Sequence, residues 1–292
     1  MTDRAAKTGV ARLSVFSNTF LVLTKLVIGF ATGSVSILAE GIHSGMDLAA
    51  ALIAFVAVRV SDQPPDERHA YGHGKYENIS GTAEALLIIA AAVYIGYEAV
   101  MKFIHGGELS RIDVGMGIML ISAVLNWLVS ARLFRVARET DSVALEADGQ
   151  HLRLDVYTSL GVLVGLFIVY LTDLVIIDRL LALAVALWIG WVGIRISGKA
   201  LGPLLDTQLP LDEVERIVEI IDAEGRVRGH HKLRTRKSGA HRHVDVHLQV
   251  PNEMSIIEAH ALAEEIEDRI RAEFRNTTVI THVEPEDEAS RV

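Results

Sequence analysis

Cysteine is absent from the 292 residues, which removes disulfides, thiolate metal sites and cysteine nucleophiles at once. Any metal bound by this chain is therefore held by nitrogen and oxygen donors. Proline is scarce, with six residues, and two of them stand together in the polar loop at 60–77, which begins VSDQPPDERH and cannot continue a helix. No basic stripe with interleaved aromatics occurs, and the formal net charge of -9 comes mainly from the last third of the chain, so nucleic acid is excluded as a partner. HExxH and GxSxG are missing too, as are low-complexity and histidine-rich tracts, which speaks against a hydrolytic enzyme.

Charged residues are few before about position 203, half of the chain is hydrophobic, and the mean hydropathy is +0.33. Segments long and apolar enough to span a bilayer run over 10–31, 35–59, 79–104, 112–136, 143–171 and 174–198. The pattern predicts an α-helical membrane protein with six transmembrane helices. Arg4, Lys7 and Arg12 precede the first span, but its length and the five that follow mark it as retained rather than as a cleaved leader. Arg59, Arg68, Lys75, Arg132, Arg135, Arg138, Arg195 and Lys199 fall on the same side as these three, against Lys102, Arg111 and Arg179 opposite. The positive-inside rule then places both termini in the cytoplasm, with the chain in the plasma (inner) membrane.

GKALGPLLDTQLP, at 198–210, ends the apolar runs. A transmembrane domain of 1–207 and a soluble domain of 208–292 are expected. The soluble part reads as helix, two strands, helix, strand. That αββαβ order suits a small α+β sheet covered by two helices on one face.

Two of the spans carry the same device. His43 and Asp47 lie four residues apart in the second, and His151 and Asp155 four apart in the fifth. Four residues advance a helix by about 6 Å and return nearly to the same face, so each pair projects from one side. If the two faces meet, two imidazoles and two carboxylates converge. Such a set neutralises a dication and completes the tetrahedral coordination that zinc prefers. The competing reading is a hydrogen bond within each pair, and the duplication counts against it, because ionisable side chains in a membrane are functional candidates by default. Asp148 reads as a helix-end charge. Lys25 and Arg153 read as side chains that snorkel or pair with Glu40, Glu84 or Glu98, and Asn18, Asn126 and Ser130 as helix-packing groups.

HSGMD (43–47), HLRLD (151–155), YGHGKYE (71–77) and LRTRKSG (233–239) together resemble the cation diffusion facilitator family over nearly the whole chain. The resemblance implies a homodimer with a cytoplasmic ferredoxin-like domain, embedded in lipid, that exports zinc (Zn2+) by alternating access in exchange for protons. His43, Asp47, His151 and Asp155 match the family's transport site. Many bacterial relatives carry Asp where His43 stands, and His at that position implies zinc preference over iron, manganese, cadmium or cobalt. Asp66 and His73 match a second metal site in the loop, with His69 close by. His231, His247, His260, His282 and Glu284 match positions that bind a pair of metal ions at the dimer junction, while His230, His241 and His243 read as surface residues. Lys75 and Asp206 match an ion pair between the two domains. Proton coupling also follows from the groups themselves, since imidazoles and carboxylates hold either protons or metal. A membrane-embedded metalloenzyme and a metal sensor whose membrane part only anchors it are the readings from other classes.

Overall fold

The computed structural model describes residues 3–32, 35–105, 115–172 and 175–286. Contacts divide the chain into two compact units, Met1–Leu201 and Gly202–Val292. Among the side chains named above, Glu40, Lys102, Arg111 and Arg179 lie outside the described set.

The first unit consists of six helices, α1 (Asp3–Thr32), α2 (Val35–Ser61), α3 (Lys75–His105), α4 (Gly115–Thr140), α5 (Val143–Thr172) and α6 (Val175–Leu201). Among the described residues, five of them are long and apolar enough to cross a membrane, all except α5; side chains 162–172 of α5 are outside the described set. Several helices outrun the apolar segments read from sequence. α1 begins at Asp3 rather than 10, α3 at Lys75 rather than 79, and α4 runs on to Thr140 rather than 136, because Lys, Arg, Glu and Ala propagate a helix after the apolar run has ended. Large apolar side chains such as Phe16, Phe30, Leu187 and Ile194 are more than 60% exposed, as expected where the surrounding medium is hydrocarbon rather than water.

Two cores hold the bundle. Val10, Ala11, Val58, Val129, Leu133, Ala144 and Leu152 join α1, α2, α4 and α5; Ile88, Ala92, Leu154, Ile189 and Val192 join α3, α5 and α6. Leu152 and Leu154 thus commit α5 to both cores at once, fixing its rotation between them. α4 and α5 are connected by a tight turn in which Asp141 takes φ 55°, a left-handed conformation that Asp tolerates better than most residues.

In the second unit a short 3₁₀ turn (Gly202–Leu205) precedes α7 (Leu211–Asp222), β1 (Gly229–Ser238), β2 (His241–Val250), α8 (Ile256–Glu273) and β3 (Thr277–Pro285). This is the αββαβ order expected. The sheet order is β1-β2-β3, with β1 antiparallel and β3 parallel to the central β2. Val244, Val246, Leu248 and Val250 pack with Ile217 and Ile221 of α7 and Leu262, Ile266 and Ile270 of α8. Strand alternation therefore puts His243, Asp245, His247 and Gln249 on the opposite face of the sheet. α8 opens with a capping box, in which Ser255 Oγ accepts from the Glu258 amide and the Glu258 carboxylate accepts from the Ser255 amide.

Candidate metal centres

α2 and α5 bring their repeated pairs to one place. A ligand atom from each of His43, Asp47 and Asp155 lies within 4.8 Å of the others, a span that one ion with donors at about 2.0–2.2 Å closes after small side-chain rotations. His151 stands beside this set, its Nε2 3.2 Å from Asp47 Oδ1, while His43 Nε2 is 4.0 Å from the same oxygen. Asp155 Oδ2 is buried and accepts no hydrogen bond. An anionic oxygen held dry without a donor is costly to maintain unless a cation or a proton meets it. The side-chain exposure falls from 47% at His43 to 6% at Asp47, so the cluster has one open flank.

The cations nearest to this site are not where snorkelling would put them. Lys25 is buried and donates to Ser44 Oγ at 2.8 Å. Arg153 points away from the cluster. Its guanidinium lies 4.1 Å over the Trp127 ring and 5.2 Å from that of Phe134, and its Nε donates to Ser130 Oγ at 3.0 Å. Ser130 is therefore a hydrogen-bond acceptor for α5 as well as a small packing residue. Asp148 also departs from expectation: it is 1% exposed, not a solvated helix-end charge. The packing of α5 against α2, α3, α4 and α6 encloses it.

A buried carboxylate without a role in the sequence reading, Glu77 in the first turn of α3, gathers three donors: Lys7 Nζ at 3.0 Å, Ser61 Oγ at 3.0 Å and Ser142 Oγ at 2.5 Å. Lys7 also reaches Asp62 Oδ1 at 2.5 Å. The signal available was the position of Glu77 inside the YGHGKYE phrase.

In the loop, Asp66 faces two imidazoles, His69 Nδ1 at 3.2 Å and His73 Nε2 at 3.3 Å, and all three residues offer ligand atoms within 4.8 Å. His69 thus joins the pair singled out from sequence. Backbone N–H groups of His69 and Arg68, at 2.6 and 2.9 Å, hold the Asp66 carboxyl below its usual range, keeping it ionised as a ligand must be.

On the sheet, register explains a third cluster. His231 of β1 is the cross-strand partner of His247, and His247 is that of His282 on β3. A bulge follows His231, where Lys232 takes φ 51°. Glu284, two residues beyond His282 and on the same face, collects the row, with His247 Nδ1 at 2.6 Å, His231 Nε2 at 3.0 Å and His282 Nε2 at 3.5 Å. The His247 contact is the main reason that the Glu284 carboxyl is held below its ordinary range. His260 lies elsewhere, on α8, exposed and 3.5 Å from Glu264 one turn on. It is not drawn to this row within the chain. His230 faces Asp222 at 3.1 Å.

Lys75 opens α3 in the first unit. Asp206 belongs to the second, has φ 53° and lies 3.6 Å from Arg236 Nη1.

Comparison with known proteins bears on all of these centres. Residues 11–205 match the cation efflux transmembrane domain, and residues 209–286 match the cytoplasmic domain of cation efflux proteins. The cation-efflux pump FieF of Cronobacter sakazakii is 35% identical over 268 residues, covering 91% of this chain and 89% of that protein. The uncharacterised transporter sll1263 of Synechocystis is 33% identical over 255 residues, covering 87% and 82%. A solved structure of CzrB, described as a candidate zinc transporter, is 36% identical with a TM-score of 0.26 and covers 27% of this chain and 98% of that one.

Proposed function

We propose, from the premise that the chain belongs to the cation efflux (cation diffusion facilitator) family and is a membrane transporter of cations rather than an enzyme, that it exports zinc in exchange for protons. The observation that carries this reading is the convergence of His43, Asp47 and Asp155 from two membrane helices, with His151 on the Asp47 carboxylate. Two imidazoles and two carboxylates favour zinc over the harder manganese and iron, which prefer oxygen-rich sets. Cadmium and cobalt are the competing cargoes. The same four groups must be free of protons to hold the ion, so loading releases protons and unloading takes them up.

In this reading residues 1–207 form six transmembrane helices, α5 included, in a bacterial inner membrane with both termini cytoplasmic. α2 then descends from the outer side, which puts the exposed His43 outward of Asp47. α5 rises from the cytoplasm, where Asp148 and His151 are sealed within the bundle. That is the arrangement of a carrier open to the exterior, and rocking of the helices would close it. Residues 208–292 bind metal through His231, His247, His282 and Glu284, with His260 joining from elsewhere, and stabilise the homodimer. Asp66, His69 and His73 form a loop site, and Lys75 with Asp206 ties the two domains together.

The test is flux into proteoliposomes across Zn, Cd, Mn, Fe and Co at several pH values. Zinc flux should depend on an opposing proton gradient and vanish in Asp155→Ala while the dimer persists. Flux of Asp155→Ala at the wild-type rate, or zinc flux indifferent to pH, overturns the reading.

A further inference from the structure

Residues 75–84, which open α3, bury Glu77, Asn78, Ser80, Gly81 and Glu84, and no apolar side chain is fully buried before Ala85. The core that α3 shares with α5 and α6 takes up only from Ile88. The start of this helix is therefore held by polar contacts. Glu77 supplies them, accepting from Lys7 of α1 at 3.0 Å, from Ser61 of α2 at 3.0 Å and from Ser142 of the α4–α5 turn at 2.5 Å. Lys7 holds Asp62 as well, so four segments of the chain are tied at one end of the bundle around a single ammonium.

Behind this cluster the interior stays polar. Ser14 and Glu84 stand seven residues beyond Lys7 and Glu77, two turns or about 10 Å further along the same helix faces. Both are fully buried, as is Asp148 on α5, one turn short of His151. Among the described residues, Ser14 Oγ, Ser80 Oγ, both carboxylate oxygens of Glu84 and Asp148 Oδ2 have no hydrogen-bond partner. Buried polar atoms without partners are costly, so these groups gain when water reaches them. A hydrogen-bonded ionic cluster gives up its partners for water at little net loss, which apolar packing cannot do.

We propose that the Lys7–Glu77 cluster is the cytoplasmic gate of the carrier, closed in this structure, which opens when the start of α3 withdraws from α1, α2 and the α4–α5 turn. Water and the cation then pass Glu84 and Asp148 on the way to His151. The inference rests on the proposed topology and on His43, Asp47, His151 and Asp155 as the transport site.

A chain without cysteine gives the test a clean background. Ser14→Cys places a thiol behind the gate, and Ala92→Cys places one in the α3–α5–α6 core. Each is labelled in the full-length protein, in sealed vesicles with the cytoplasmic face outward, by a charged membrane-impermeant methanethiosulfonate. Lys7→Gln should raise the labelling rate of S14C about tenfold, which corresponds to about 1.4 kcal/mol in favour of the open form, and leave that of A92C unmoved. Lys7→Arg, which keeps the charge, should restore slow labelling. Zinc kcat in proteoliposomes should fall about tenfold in K7Q, because a gate that stays open ends the alternation, while the purified variant still binds zinc within about threefold of wild type. Where K7Q does not fold, Ser142→Ala, which removes one donor to Glu77 and no charge, takes its place.

A purely structural role predicts that S14C and A92C label faster together. That result, an S14C rate indifferent to K7Q, or a wild-type kcat in K7Q overturns the gate. Asp47→Asn is the control for the reading beneath it. If D47N transports zinc normally, the site assignment has failed; if D47N is inactive while K7Q leaves S14C protected, only the gate has failed.

Discussion

Removing the Glu77 carboxylate should destabilise the bundle more than any other single substitution at its charged end. Glu77 is 1% exposed and accepts from Lys7, Ser61 and Ser142, so it joins α1, the end of α2, the start of α3 and the α4–α5 turn. Glu77→Ala leaves the buried Ser142 hydroxyl without its acceptor, leaves Ser61 only the Val58 carbonyl at 3.1 Å, and deprives Lys7 of one of its two carboxylates. Breaking a buried ion pair by deleting one partner costs about 3–5 kcal/mol. Lys7 keeps Asp62 at 2.5 Å, and the Asp62 side chain is 14% exposed and partly hydrated, which puts the loss near the lower end, about 3–4 kcal/mol. Lys7→Ala should cost less, about 2–3 kcal/mol, because two hydroxyls still serve Glu77. Glu77→Gln, which keeps an acceptor, should cost about 1–2 kcal/mol. Reversible unfolding of the purified protein in mixed micelles gives these values, and the double mutant K7A/E77A gives the coupling, expected at 1 kcal/mol or more within the usual range of about 0.5–3. A loss under about 1 kcal/mol for E77A, or additivity of the two single changes, would refute the argument.

Three further outcomes follow from the same structure. Arg153→Met should lower stability by about 2 kcal/mol, combining a desolvated cation–π contact with Trp127 and a charged hydrogen bond to Ser130; zinc flux should fall with it, because these contacts help to set the rotation of α5 that carries His151 and Asp155, and unaltered flux in folded protein would show that the anchor is dispensable. Gly193→Ala would place a methyl 2.8 Å from Ile89 Cγ1 and 3.1 Å from Ile88 Cγ2, so overpacking between α3 and α6 should cost about 1–3 kcal/mol, and a thermal midpoint equal to that of wild type would contradict that close approach. In the second unit, Arg226 donates to Glu224 at 2.7 Å and holds its carboxyl down to about 2, from an ordinary 4.5; this stabilisation is present above about pH 4.5 and is lost as pH falls toward 2, so Glu224→Gln should flatten the acid limb of a proteolysis-resistance profile of the full chain, and an identical limb would count against the pair.

That the two pairs of α2 and α5 each project from one face could be read from spacing alone, because a four-residue repeat keeps both members of a pair on one helical face. What spacing could not convey is the rotation of each helix about its axis. That rotation depends on contacts far apart in sequence: Arg153 over Trp127, Lys25 on Ser44, and Leu152 and Leu154 in separate cores. The result is a set in which His151 sits on Asp47 while His43, Asp47 and Asp155 share one centre. Asp148 illustrates the same limit. Its place near a helix start suggested hydration, yet α5 packs against four other helices of the bundle and leaves Asp148 buried. In the soluble unit the αββαβ order was legible, since each element is locally amphipathic. The row His231, His247 and His282 was named only through the family resemblance, because strand register and the bulge after His231, rather than spacing, decide it. His69 was read only as a neighbour of the loop pair, because loop geometry, rather than periodicity, turns it toward Asp66.

The buried charges of the bundle also suggest why metal and protons should be exchanged at all. Among the described residues, its buried ammonium groups are Lys7 and Lys25, and its buried carboxylates are Asp47, Glu77, Glu84 and Asp148. With His151 counted as neutral, two cations against four anions leave a formal excess of two negative charges before the half-buried Asp155 is counted. Neither oxygen of Glu84 accepts a hydrogen bond, and Asp148 Oδ2 and Asp155 Oδ2 are likewise without donors. Dry carboxylates cannot remain ionised and uncompensated in surroundings that lack water. One dication removes that excess, and so do two protons. In the proposed reading, a bundle that releases its metal takes up protons and one that loads metal sheds them, whichever carboxylates hold the protons in between.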